Sequence, residues 1–135
     1  MIVNGVKKNT IMRQIDTKNA PAAIGPYSQA IEHQGFIYVS GQLPIDPATG
    51  AFPEGGIEEQ TRQSLKNLEA ILMEAGTGMD SVLKTTVFLA DMGDFAAMNG
   101  VYAEFFKAPF PARCAFAVKA LPKGALVEID CVAKA

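Results

Sequence analysis

The chain has 135 residues, with 12 Lys and Arg against 14 Asp and Glu, a formal net charge of −2 and a pI near 5.3. That length suits one domain with a real core, and the charge supplies no broad field for a phosphate backbone, which weighs against nucleic acid as a partner. Hydrophobic residues make up 49% and charged residues 19%, a balance apolar enough in so small a chain to point to some apolar surface in a subunit interface.

Residues 1–11 carry the basic pair Lys7-Lys8 but no apolar core of signal-peptide length, and no later run reaches the length of a membrane span. We therefore expect a cytoplasmic protein with a flexible extension over 1–11 and a single domain over 12–135, since Met12 precedes the patterned region. Arg13 to Asp16 reads as a short strand, and Asn19 to Pro26 as an extended, proline-stiffened loop that leads into Tyr27. Ser28 to His33 and Phe36 to Gly41 flank Gln34-Gly35 as the two arms of a β-hairpin. Pro44 to Gly56 is a loop by composition.

The spacing of Leu65, Leu68, Leu72 and Ala75 predicts a helix from about Ile57 to Ala75, with Glu59, Arg62, Lys66 and Glu69 on its other side and Gly76 as its stop. Val82 to Leu89 is rich in β-branched residues and reads as a strand. Asp94 is placed to cap a second helix reaching about Lys107, one side of which carries Phe95, Asn99, Tyr102 and Phe106. Asn99 thus sits among aromatics, either as a satisfied helix polar group or as one facing a pocket. Cys114 and Cys131 fall in apolar runs and are expected as reduced core thiols. The only histidine, His33, is far from them in sequence, so neither a metal site nor a Cys-His nucleophile is expected.

The order strand, hairpin, helix, strand, helix, strand, strand is an α+β pattern, in which two helices cover one face of a single sheet. Nothing remains to cover the other face. Its strands are apolar on both alternations, which favours burial in an oligomer.

The last two strands raise the chemical question. Arg113 lies in Phe110-Pro111-Ala112-Arg113-Cys114-Ala115-Phe116-Ala117-Val118, and Glu128 in Leu126-Val127-Glu128-Ile129 after a Pro-Lys-Gly turn. A strand period of two puts Arg113 on one face with the small residues Ala115 and Ala117, leaving room for a ligand beside a guanidinium suited to carboxylates. Read as a hairpin, the two segments bring Glu128 toward the same region. The pair is then either a buried salt bridge that fixes strand register or an anion site with a carboxylate that positions a proton or water.

Asn19-Ala20-Pro21-Ala22-Ala23-Ile24-Gly25-Pro26-Tyr27-Ser28-Gln29-Ala30, Tyr38-Val39-Ser40-Gly41-Gln42, Lys84-Thr85-Thr86-Val87-Phe88-Leu89, Phe110-Pro111-Ala112-Arg113 and Val127-Glu128-Ile129 agree in order and spacing with one family. The chain resembles the Rid, or YjgF-like, reactive-intermediate deaminases, and most closely their arginine-retaining subgroup. The resemblance implies a chorismate-mutase-like α+β fold that assembles as a homotrimer, with ligand clefts between subunits and the open sheet face in the trimer interior. It also implies hydrolysis of 2-aminoacrylate and its threonine-derived analogue to 2-oxo acids and ammonia, with no cofactor.

Position by position, the resemblance makes Arg113 the grip on the substrate carboxylate and Glu128 the group that orients the hydrolytic water. Tyr27, Ser40, Gly41, Asn99 and Ala115 become substrate-binding residues. Many relatives carry a cysteine two residues after the arginine, on the ligand side, where this chain has Ala115; thiol chemistry is therefore not expected. Other readings of the same residues are a non-enzymatic 2-oxo-acid sensor, an endoribonuclease, and a structural trimer with Arg113 paired internally.

Overall fold

The computed structural model describes residues 11–135 together with a short antiparallel pairing of β1 (Ile2–Val3) with β2 (Val6–Lys7). Apart from these strands and Ile11, the expected extension over 1–11 lies outside the described residues. β3 (Arg13–Ile15), β4 (Ala30–His33) and β5 (Phe36–Gln42) are followed by α1 (Ile57–Glu74), β6 (Val82–Leu89), α2 (Phe95–Phe105), β7 (Ala112–Ala117) and β8 (Val127–Lys134). They form one six-stranded sheet in the order β3-β4-β5-β8-β6-β7. Only β6 and β7 run parallel, joined through α2, because parallel neighbours need a crossover rather than a tight turn.

The predicted elements form where local chemistry demands them. Gln34 and Gly35 both have positive φ, 49° and 86°, the condition for the two-residue turn that matches strand twist, and His33 pairs with Phe36 across it. At the start of α1 the Glu59 carboxylate accepts the Gly56 N–H at 3.1 Å, satisfying one of the orphan donors of the first turn. Gly76, at φ +92°, ends the helix: its N–H bonds Met73 O and that of Thr77 bonds Leu72 O, each at 3.0 Å, the Schellman pattern.

Leu65, Leu68, Ile71 and Leu72 are fully buried on α1 and pack on a sheet face built from Ile37, Val39, Val87, Leu89, Val127, Ile129, Cys131 and Ala133. The buried side of α1 also holds polar groups that the apolar spacing does not announce. The Asn67 amide donates to Leu43 O at 3.1 Å and Ile45 O at 2.9 Å, and Gln60 Oε1 accepts the Leu126 N–H at 2.9 Å. These bonds tie down the loop after β5 and the entry to β8.

Four expectations are corrected, the last of them Cys114 as a core thiol. The last two strands are not a hairpin, because β6 lies between β7 and β8 and pairs with both. α2 ends at Phe105, short of Lys107: Phe106 turns extended, at φ −126° and ψ 148°, and enters the core 4.6 Å from the Tyr102 ring. Asp94 occupies the N-cap position of α2, but its side chain makes no capping bond; Asp91 instead accepts the Gly93 N–H at 2.8 Å in the preceding turn. Of the two free thiols, Cys131 is in the core and Cys114 is exposed, since Cys114 lies on the sheet face away from the helices. That face also exposes Phe36, Tyr38 and Phe116 to 43%, 51% and 45%.

Candidate active site

Cross-strand register decides where the two charged residues point, because directly opposed residues share a sheet face. Arg113 stands opposite Thr85, which stands opposite buried Cys131, so Arg113 projects to the helix-covered face at its β7 edge. There α2 meets it. Arg113 Nη1 donates to Asn99 Oδ1 at 2.6 Å, and the guanidinium carbon lies 4.8 Å from the Tyr102 ring centroid and 5.5 Å from that of Phe95. The Tyr102 and Thr85 hydroxyls are bonded to each other at 2.8 Å.

A groove of about 410 Å³ opens beside Arg113, walled by Asn99, Tyr102, Ala103, Phe110 and Pro111. The ion pairs among the described residues are Arg13–Glu32, Arg62–Glu104 and Lys107–Asp80. Arg113 belongs to none of them. A guanidinium held by an amide and two rings, with no carboxylate to neutralise it, favours an external anion.

Glu128 belongs to the other face. It stands opposite Phe88, which stands opposite Phe116, and the two rings pack edge to face with centroids 5.5 Å apart. Glu128 therefore lies two strands away from β7 and on the opposite side of the sheet from Arg113, so the internal salt bridge is excluded. Its neighbours come from a bulge in β5, where pairing passes from Val39–Cys131 to Gln42–Ile129 and leaves Ser40 and Gly41 against Asp130 alone. A Cβ on Gly41 would overlap the Glu128 carboxylate, lying only 3.1 Å from its Cδ. Glycine is what lets backbone and carboxylate approach.

The Glu128 carboxyl is raised above its ordinary pKa, chiefly by burial and further by the charge of Asp130. Asp130 is itself fixed, its Oδ1 accepting the Thr86 N–H at 3.1 Å. Ser40 Oγ donates to Ser28 O at 2.6 Å, so its proton is committed inside the chain. Tyr27 is half exposed after Gly25-Pro26 and shares a groove of about 330 Å³ with Gln29, Gly41, Gln42 and Lys123.

Among the residues singled out from sequence, Arg113 and Asn99 thus form one cluster, and Glu128, Gly41, Ser40 and Tyr27 form another. Ala115 lies on the Arg113 face, opposite Val87. The stacking of Tyr102 on Arg113 went unread, although its place three residues after Asn99 on one helical stripe was the available signal. Lys123 was unread too, since its turn gives no periodicity.

The chain is thus a small α+β domain with one groove beside Arg113, which makes no ion pair among the described residues, and a second groove beside Tyr27 and Gly41. The family model described as Endoribonuclease L-PSP matches residues 17–135, and the chain belongs to that family, the Rid or YjgF-like proteins. It is 56% identical over 122 residues to a RutC family protein of Sinorhizobium fredii, covering 90% of this chain and 97% of that one. It is 50% identical over 123 residues to a human protein named 2-iminobutanoate/2-iminopropanoate deaminase, covering 91% and 90%. A crystal structure of a Rid family protein from Yersinia pestis superposes with a TM-score of 0.90 at 52% identity, covering 93% of this chain and all of that one. Among the described residues no helix is long and apolar enough to cross a membrane.

Proposed function

We propose that this protein hydrolyses 2-imino acids, the tautomers of 2-aminoacrylate and of its threonine-derived analogue, to 2-oxo acids and ammonia. The observation that carries the reading is the Arg113 guanidinium, oriented by Asn99 and Tyr102 and paired with no carboxylate among the described residues. It binds the substrate carboxylate. The name of the human relative supports the choice of imine as the reacting group.

Arg113 and Glu128 face opposite sides of the sheet, so one chain does not bring them to one substrate. We place the complete site between copies, with the Arg113 groove of one subunit meeting the Tyr27, Gly41 and Glu128 cluster of the next. The exposed Phe36, Tyr38 and Phe116 supply apolar contact for a homotrimer closed around the open sheet face. Glu128 takes a proton as water adds to the imine carbon. Returned to nitrogen, that proton completes the carbinolamine; Glu128 then takes the carbinolamine hydroxyl proton and passes it to nitrogen, so the C–N bond breaks, the C=O forms and ammonia leaves. Every step is proton transfer and positioning by this chain's own side chains.

The test couples a serine or threonine dehydratase to the protein and follows ammonia or 2-oxo acid release. Wild-type protein is expected to accelerate release, and Arg113→Ala and Glu128→Ala to abolish nearly all of the acceleration while keeping fold and assembly. Binding of 2-oxo acids without acceleration would leave the sensor reading instead.

A further inference from the structure

We propose that Tyr102, anchored by Thr85, is a positioning residue for Arg113 that fixes the plane of the guanidinium, so that its fork meets a carboxylate without reordering. The inference rests on the reading of Arg113 as the carboxylate grip and goes beyond it by naming what holds that grip.

Arginine is a long, rotamer-rich side chain, and a half-exposed one at a sheet edge ordinarily has to be ordered by its ligand. Here it is ordered beforehand. Tyr102 offers its ring face to the guanidinium at 4.8 Å, the range of a cation–π contact. The ring cannot swing away, because it is 5% exposed, packs on Phe106 and is held through its hydroxyl by Thr85 at 2.8 Å. Thr85 is fully buried and stands directly opposite Arg113 in the sheet register, so one strand position anchors the ring beside the arginine it supports. Burial pushes the phenol's pKa up, keeping it neutral beside the cation. Asn99 takes one N–H of the fork and leaves the others free to pair with two carboxylate oxygens.

The test measures the affinity for 2-oxobutanoate by calorimetry and kcat/KM in the coupled assay, for full-length Tyr102→Leu, Tyr102→Phe and Thr85→Val. Tyr102→Leu, which removes the ring face, is expected to weaken both about tenfold. Tyr102→Phe and Thr85→Val keep the face and lose only the anchor; each should recover most of that loss but end about threefold below wild type, a graded rescue that a purely packing role does not require of the ligand affinity. Melting curves and assembled mass establish that the variants fold. A folded Tyr102→Leu protein with wild-type affinity and kcat/KM overturns the proposal, and if that variant fails to fold, wild-type affinity in both Tyr102→Phe and Thr85→Val overturns it. Loss of binding in Arg113→Ala beside intact binding in Tyr102→Leu defeats this inference alone, whereas intact binding and activity in Arg113→Ala defeats the reading of Arg113 itself.

Discussion

Burial and the neighbouring Asp130 charge raise the Glu128 pKa, and in the proposed mechanism that ties catalysis to stability. A carboxyl whose pKa is raised on folding binds more protons in the native than in the unfolded state as pH rises above the ordinary carboxyl range, so stability falls through that window and stays reduced above it. Replacing Glu128 with neutral Gln should therefore raise the melting temperature at pH 7 to 8. The gain should vanish below about pH 4, where the wild-type carboxyl is protonated in both states. Melting curves across pH check the sign. Gly41 makes the complementary case: a methyl there meets the flexible end of Glu128 rather than rigid backbone, so Gly41→Ala should displace the carboxylate. We expect at least a tenfold loss of kcat/KM with a melting temperature close to wild type. At this scale Arg113, Glu128 and Asn99 were legible because each is a polar exception in an apolar pattern, whereas the part played by Tyr102 is written in a contact between elements.

Elements with a strong local period were read closely. α1 announces itself through Leu65, Leu68 and Leu72, and the β4–β5 turn through Gln34-Gly35, because helix and hairpin are local solutions. Strand order is not local. Nothing in Arg113 to Ile129 tells that β6, thirty residues upstream, inserts between the last two strands, and the short turn between them made a hairpin the natural reading. The polar contacts of Gln60 and Asn67 were hidden for the same reason, since their partners Leu126, Leu43 and Ile45 are distant in sequence. Gly76 provides a test of element termination. Its φ of +92° excludes a side chain without strain, so Gly76→Ala should cost about 1 kcal/mol and lower the melting temperature by about 3–5 °C, leaving kcat/KM unchanged.

At the scale of the whole molecule, the apolar composition and the uncovered sheet face pointed to the same thing from sequence, and the exposed Phe36, Tyr38 and Phe116 agree. The proposed trimer makes a prediction that no single-chain site shares. Around a closed ring, each cleft takes Arg113 from one subunit and Glu128 from the next. A ring containing both Arg113→Ala and Glu128→Ala chains always has one junction where an intact arginine meets an intact glutamate. Unfolding and refolding the two inactive variants together in equal amounts should therefore restore about a quarter of wild-type activity, since about three quarters of random trimers are mixed and one cleft in three is whole in each. Mixing without restored activity places both residues in one subunit's site.

The opposed directions of Arg113 and Glu128 across one sheet also change what an amount of this protein means. In the proposed assembly, which divides Arg113 and Glu128 of each site between copies, an isolated chain is only a fragment of a catalyst, and the working unit obeys mass action. Turnover per chain should hold constant at high concentration and then collapse on dilution through the assembly midpoint. Below that midpoint, total rate should rise more steeply than the first power of protein added.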